Sequence, residues 1–171
     1  MEIFKYILPA FIVMMTAYLL FDKMLSNEEK RRKFELTKKD RASFVPLQLR
    51  AYERLMLLLE RSNPANMVLQ IIKPGMSCME FQSQLTDHIR KEFEHNYAQQ
   101  LYVSDELWSA IKNTQDNLIK LINTTAIRFK ADEPATQLAE QIIRIYAETD
   151  DNPTQIAIGI LKTEVRNQFF R

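Results

Sequence analysis

The fold of this chain is decided by a stretch in its middle, residues 77–100, which reads SCMEFQSQLTDHIRKEFEHNYAQQ. Ser77 and Glu80 have the spacing of a capping box, which marks the start of a helix. Apolar side chains then recur at helical spacing and form one stripe, consisting of Phe81, Leu85, Ile89, Phe93 and Tyr97. The stretch therefore predicts a long amphipathic helix that buries its apolar stripe against other helices.

Similar start signals divide the rest of residues 45–171. Further helices are predicted to begin at Pro46, Asn63-Pro64, Ser104, Asp132-Glu133-Pro134 and Asn152-Pro153. The short connection before Ser104 predicts an antiparallel hairpin of the two longest helices. The chain has only two glycines, which disfavours a turn-rich β protein, and Gly159 is expected to allow two helices to approach closely. The sequence thus predicts an all-α bundle of about five to six helices.

The N-terminus reads differently from this domain. Residues 6–21 carry no charge, and apolar residues extend the stretch at both ends. At about 1.5 Å per residue, the sixteen uncharged residues cover about 24 Å, a little less than a hydrocarbon core of about 30 Å, so the span needs the apolar residues that extend it to residues 3–25. We therefore predict a transmembrane anchor at residues 1–25, which contacts the bilayer through residues 3–25. Two alternatives stay open. One is a cleaved signal peptide, although bulky residues followed by Asp22 and Lys23 make a poor cleavage site. The other is a buried core helix of a soluble protein, although the apolar residues cover the whole circumference of the helix rather than one face.

Residues 26–44 form a predicted charged stalk. Lys23 to Arg41 contains eight basic and four acidic residues, whereas Lys5 is the one basic residue before the apolar stretch. The positive-inside rule therefore places the C-terminal domain in the cytoplasm, as a single-pass protein. Acid–base pairs at i, i+4 predict a solvated helix that starts at Ser26. Whether this stalk also binds anionic lipid stays open.

The charge of the C-terminal domain argues against nucleic acid as a partner. Residues 45–171 contain fourteen basic and sixteen acidic residues, which is not the charge signature of a nucleic-acid binder. The single cysteine, Cys78, allows no intrachain disulfide and fits a reducing compartment. Its place in the first turn of a helix lowers a thiol pKa. A catalytic thiol also needs a base, however, so a buried structural cysteine is the favoured interpretation.

A weak metal-site pattern lies on the long helix. Glu92 and His95 have the Glu-x-x-His spacing of di-metal bundles, and His88 lies one turn earlier. Such a site needs a second Glu-x-x-His motif, and the chain has only two histidines. We therefore expect no metal, cofactor or small-molecule ligand and no catalytic residue, with His88, Glu92 and His95 as the weak metal candidates.

Aromatic side chains gather around the predicted hairpin. They are Phe93, Tyr97, Tyr102 and Trp108. Packing within the hairpin is the simplest interpretation of this group. The alternative is a protein-interaction surface, since aromatic and amide side chains are enriched at interfaces.

The chain also resembles a known group of proteins. The resemblance lies in EFEHNYAQQLYVS (92–104), LRAYERL (49–55) and NPTQ (152–155). With these motifs it is similar to an uncharacterised family of small Bacteroidetes proteins, which have an N-terminal membrane segment and a helical domain. The resemblance implies a bacterial inner (cytoplasmic) membrane, and it brings no catalytic or binding residues.

These patterns lead to one leading functional hypothesis. It is a membrane-tethered, non-enzymatic interaction or scaffold module with an unidentified protein partner. Two alternatives stay open. One is a ligand-binding or enzymatic bundle with a site around Glu92 and His95, and the other is an exported soluble helical domain after signal cleavage.

Overall fold

The structure is a computed structural model that describes residues 3–149 and 152–170. The side chains of residues 3–10, 12, 13, 37 and 39–41 also lie outside the description. The helices are α1 (Ile3–Arg61), α2 (Pro64–Ile71), α3 (Cys78–Asn96), a 3-10 helix (Tyr97–Tyr102), α4 (Asp105–Ala126), α5 (Ala135–Glu148) and α6 (Pro153–Phe169). These two ranges contain no β-strand, and the all-α prediction is confirmed for them.

The chain forms two compact units, Met1–Pro46 and Leu47–Arg171. In the first unit, exposed ion pairs join Glu28 to Arg32 at 3.6 Å and Arg31 to Glu35 at 3.2 Å. The predicted helix start at Ser26 is wrong, because α1 continues through it. The Ser26 hydroxyl donates to the carbonyl of Lys23 at 3.0 Å, a bond that serine forms inside helices.

The predicted transmembrane helix is not supported by the part of the chain that the structure describes. Over those residues, none of the helices combines the length and the apolar character that crossing a bilayer requires. Two residues before this helix, Met1 and Glu2, lie outside the described part. Within the apolar stretch, the structure does not describe the side chains of residues 3–10, 12 and 13.

Pro46 does not begin a helix, contrary to the sequence-based expectation. It lies inside α1, which runs from Ile3 to Arg61. Proline inside a helix loses one backbone hydrogen bond and typically costs about 3 kcal/mol. The residues that follow it, LQLRA at 47–51, are good helix formers, and their propensity favours continuation.

The second unit is built around an antiparallel hairpin of α3 and α4, as predicted. Gln82, near the start of α3, donates to Asn123, near the end of α4, at 3.0 Å. At the opposite end, the rings of Tyr97 and Trp108 meet edge to face with centroids 6.1 Å apart. Contacts at both ends of the pair fix the two helices in opposite directions.

Helix α6 packs along α4, and the two also run in opposite directions. The Thr114 hydroxyl in the middle of α4 donates to the carbonyl of Pro153, the first residue of α6, at 3.1 Å. Ser104, which caps α4, bonds to Glu164 near the end of α6. Large side chains from several helices fill the core of this unit, among them Leu55, Leu58, Leu59, Met67, Phe81, Leu85, Ile89, Phe93, Leu107, Ile111, Ile122 and Leu138.

The start of α5 differs from the prediction. The helix begins at Ala135, after Pro134, and no side chain caps it. Instead, the backbone before α5 pairs with the backbone before α3. The backbone amide of Ala135 donates to the carbonyl of Met76 at 3.0 Å. The backbone amide of Cys78 donates to the carbonyl of Glu133 at 2.9 Å. Tertiary backbone bonds thus satisfy groups that the sequence assigned to a local cap.

The expected close helix approach at Gly159 is wrong. A Cβ added to Gly159 would have no neighbouring atom within 4 Å, so no other helix of the described chain packs tightly there. The second glycine is needed for its backbone conformation. Gly75, in the turn before α3, has φ +78°, which side-chain-bearing residues rarely adopt.

Candidate functional site

The best candidate site is a cleft between the C-terminal part of α1 and the C-terminal half of α3. It has a volume of about 380 Å³, and its lining consists of Arg54, Leu57, Leu58, Arg61, Lys91, Glu92, His95 and Asn96. All of these residues belong to the second unit. The structure therefore brings the predicted pair, Glu92 and His95, into one concave surface with residues that the sequence did not single out.

Spacing along each helix explains why these side chains share the cleft. On α1, Arg54, Leu57 and Arg61 stand three and four residues apart and lie on one face. On α3, Lys91 and His95 are four residues apart and form the facing wall. The spacing of Arg54, Leu57, Leu58 and Arg61 on one face of α1 can be seen in the sequence. The two leucines predict only burial, however, and no nearby residue indicates which helix packs opposite this face.

The cleft is cationic. Arg54, Arg61 and Lys91 contribute three positive charges, against the single carboxylate of Glu92. Glu92 lies 3.8 Å from a guanidinium nitrogen of Arg61, and their side chains are 23% and 60% exposed. A pair that is this long and this exposed contributes little to stability. It places the Glu92 carboxylate beside the Arg61 guanidinium in the cleft.

Two leucines of α1 line the cleft. Leu58 is buried, whereas Leu57 remains 46% exposed. On the α3 side, the side-chain amide of Asn96 donates to the backbone carbonyl of Glu92 at 2.8 Å and fixes the end of that wall. An exposed leucine among cationic groups suits a ligand that carries both an apolar group and negative charge.

The weak metal candidates do not come together as a ligand set. In residues 3–149 and 152–170, no group of three histidine, cysteine, aspartate or glutamate side chains is placed to hold a metal ion. His88 is half-buried and does not line the cleft, and its Nε2 has no hydrogen-bond partner. Glu92 is engaged with Arg61 instead.

The four aromatic residues do not form one surface. Phe93 is 1% exposed and belongs to the core, so it cannot contact a partner. Tyr97 is 43% exposed and packs against the half-buried Trp108. Tyr102 is half-buried, and its backbone carbonyl accepts a hydrogen bond from the side-chain amide of Gln48 at 3.3 Å. Burial of Phe93 follows from its place on the apolar stripe of α3.

Cys78 is buried at the start of α3. Its thiol lies 3.5 Å from the carbonyl of Pro134. Burial, followed by the negative charge of Glu133, raises the pKa of this thiol. The lowering expected from the helix N-terminus is therefore wrong, because desolvation of the thiolate outweighs it. Of the two methionines next to it in sequence, Met76 is buried with it and Met79 is 63% exposed.

A polar network that the sequence did not predict joins α1, α4 and α6. The buried Tyr52 hydroxyl donates to Glu164 at 2.8 Å and lies 2.8 Å from the side-chain oxygen of Gln168. Glu164 also accepts bonds from the amide, at 2.9 Å, and the hydroxyl of Ser104. The side-chain amide of Gln168 donates to the side-chain oxygen of Gln48 at 3.0 Å. Burial and the neighbouring Glu164 carboxylate raise the pKa of Tyr52.

This network borders a shallow depression of about 720 Å³ over α6 and the start of α4. Ile156, Gly159 and Ile160 supply its apolar part, and Glu106 and Glu164 supply its charge. Because Glu164 is already bound by Tyr52 and Ser104, its carboxylate serves to hold helices together. The cleft between α1 and α3 remains the stronger candidate site.

Over residues 3–149 and 152–170, the fold is all-helical, and a cationic, partly apolar cleft lies between α1 and α3. The chain belongs to the family of unknown function DUF7935, whose model matches residues 1–168. The resemblance to an uncharacterised family is thereby confirmed over almost the whole chain. Comparisons with curated proteins and with solved structures give no significant match.

Proposed function

We propose that this protein is a non-enzymatic interaction module that its N-terminal segment tethers to a bacterial inner membrane, with the helical domain in the cytoplasm. The observation that carries the interaction role is the cleft between α1 and α3. There, the exposed Leu57 lies among Arg54, Arg61 and Lys91. Arginine is enriched at protein interfaces, and an exposed leucine beside two arginines adds apolar surface that a partner protein could cover.

The tether is supported by the sequence. Residues 6–21 carry no charge, and eight basic residues follow between Lys23 and Arg41. An apolar stretch with such one-sided basic flanks favours a single-pass anchor whose C-terminal side faces the cytoplasm. The proposed location in a bacterial inner membrane follows the resemblance to small Bacteroidetes proteins.

The tether is tested by membrane fractionation of the full chain. Leu19→Lys with Leu20→Lys places two charges in the apolar stretch, and we expect this variant to leave the membrane fraction. Phe34→Lys with Leu36→Lys is the matched control, since these exposed side chains lie in the charged region. It should stay in the membrane fraction. Equal solubility of wild type and both variants would overturn the tether.

Mass spectrometry of the purified N-terminus separates the tether from signal cleavage. An intact chain beginning at Met1 or Glu2 supports the anchor. A mature chain that begins after the apolar stretch favours the exported soluble domain and contradicts the proposal.

The interaction role is tested by cross-linking in living cells, followed by capture of the tagged full chain in mild detergent. We expect one or more proteins to be recovered in defined proportion to the wild-type chain. Recovery of the protein alone, with or without cross-linker, would contradict an interaction module.

A ligand-binding or enzymatic bundle around Glu92 and His95 is the second candidate, because both side chains line the same cleft. Thermal unfolding in the presence of small anions tests it. A saturable rise in the unfolding temperature with phosphate or a dicarboxylate, abolished by Arg61→Gln, favours this candidate. The absence of any rise favours the interaction module.

A further inference from the structure

Both walls of the cleft contribute positive charge to its interior. On the α1 wall, the exposed Leu57 lies between Arg54 and Arg61 in sequence. On the α3 wall, Lys91 is accompanied by Glu92 and His95. An occupant with carboxylates beside an apolar group complements the α1 wall and also reaches Lys91 across the cleft.

We propose that this cleft docks an acidic segment of a partner protein, in which carboxylates flank an apolar side chain. This inference rests on the interaction role proposed above and names the kind of partner. The apolar side chain packs on Leu57, and the carboxylates bind Arg54, Arg61 and Lys91. Guanidinium groups bind carboxylates through two parallel hydrogen bonds, which orients the segment.

The charge of the cleft is local, which favours a specific peptide over a phosphate polymer. Residues 45–171 contain fourteen basic and sixteen acidic residues, so the cleft is a positive site in a slightly acidic domain. None of its lining residues is aromatic, whereas single-stranded nucleic acids bind through stacking on aromatic rings. The two leucines in the lining also have no role in binding phosphate groups.

Glu92 acts as a competitor inside the cleft. When no partner is bound, its carboxylate lies 3.8 Å from the Arg61 guanidinium. A carboxylate of the partner must displace Glu92 or share Arg61 with it. Removing the charge of Glu92 therefore frees Arg61 and removes one repulsive contact with an acidic segment.

The test is fluorescence anisotropy with the full chain in neutral detergent micelles. The probe is a labelled synthetic peptide of glutamate, alanine and a central leucine. Arg54→Glu with Lys91→Glu should weaken binding by at least about tenfold, because both walls then repel the peptide. Lys120→Glu with Lys162→Glu changes the net charge equally on exposed positions away from the cleft, and it should leave binding within about twofold.

Two further measurements check the geometry. Glu92→Gln should tighten peptide binding by a few-fold, and replacing the central leucine of the peptide by serine should weaken it. Circular dichroism verifies that each variant is folded. If the double glutamate variant does not fold, Arg54→Gln with Lys91→Gln takes its place, with an expected loss of at least about threefold.

Equal loss of binding in the cleft variant and in the control would overturn the proposal, since bulk charge alone then explains it. It is also overturned if phosphatidylglycerol vesicles or a single-stranded oligonucleotide bind through Arg54 and Lys91 and the peptide does not bind. If the cleft variant still captures the wild-type partners from cells, the cleft proposal fails while the interaction role stands. If wild type captures nothing, the interaction role itself fails.

Discussion

The hydroxyl of Tyr52 lies 2.8 Å from the carboxylate of Glu164, although the two residues are 112 positions apart in the chain. This contact joins α1 to α6, and Ser104 binds the same carboxylate from the start of α4. The ring of Tyr52 also meets Phe169 edge to face, with centroids 6.1 Å apart. A buried hydroxyl and a half-buried carboxylate thus fasten three helices of the second unit together.

Tyr52→Phe removes this bond and keeps the ring. We expect a loss of about 1–2 kcal/mol in the free energy of unfolding, because a hydrogen bond to a charged acceptor is lost. Urea denaturation measures it. Tyr146→Phe is the matched control, since the Tyr146 hydroxyl is buried with no hydrogen-bond partner. Its removal should be neutral or stabilising, and equal losses in both variants would contradict the role of the Tyr52 bond.

The same tyrosine predicts a dependence of stability on alkaline pH. Burial and the Glu164 carboxylate raise the pKa of Tyr52 above its usual value of 10.0. The folded state therefore keeps the phenol proton where the unfolded chain releases it. Stability from this group is complete below about pH 10 and is lost as the pH rises further.

Urea midpoints measured at a series of alkaline pH values check this dependence. Tyr52→Phe should lose less stability than wild type over the alkaline range, because it has no phenol to ionise. Parallel pH profiles for the two proteins would show that Tyr52 is not responsible.

Cys78 should resist labelling in the folded protein. Its burial and raised pKa predict a reaction with a thiol reagent slower than in the unfolded chain by a factor of roughly 100 or more, since the thiol reacts only when the structure opens. The control is Ser109→Cys in a Cys78→Ala background, because position 109 is exposed. Fast labelling of both thiols would show that Cys78 is accessible.

The two glycines should respond to alanine in opposite directions. Gly75→Ala places a side chain at φ +78° and should cost about 1–2 kcal/mol. Gly159→Ala meets no neighbouring atom within 4 Å in the interior of α6, so it should stabilise the fold by about 0.5–1 kcal/mol. Thermal and urea unfolding measure both changes. Destabilisation by Gly159→Ala would indicate a close neighbour at this face.

Helix starts were the most predictable part of this protein. Four helices begin where the sequence predicted. At each start a side chain accepts a hydrogen bond from a backbone amide two or three residues later, and these capping residues are Asn63, Ser77, Ser104 and Asn152. Such caps depend only on residues two or three positions apart. For the same reason four members of the predicted stripe, Phe81, Leu85, Ile89 and Phe93, are buried as expected. Tyr97 is not, because α3 ends at Asn96 and Tyr97 begins the 3-10 helix with 43% of its surface exposed.

Prediction was wrong where distant backbone replaced local signals. The start of α5 depends on the bond from Ala135 to Met76, which no pattern of neighbouring residues reports. At Pro46 the signal of one residue was outweighed by its neighbours, whose helix propensity favours the continuation of α1.

The sequence by itself determined the helical class, most helix starts and the stripe that forms the core, because these follow from local hydrogen bonding and periodicity. Only the tertiary structure decided that Arg54 and Arg61 face Lys91 and His95, and that Tyr52 meets Glu164. Each of these groupings joins helices far apart in the chain. Their partners are chosen when apolar faces pack, since side-chain contacts between helices depend on how those faces interlock.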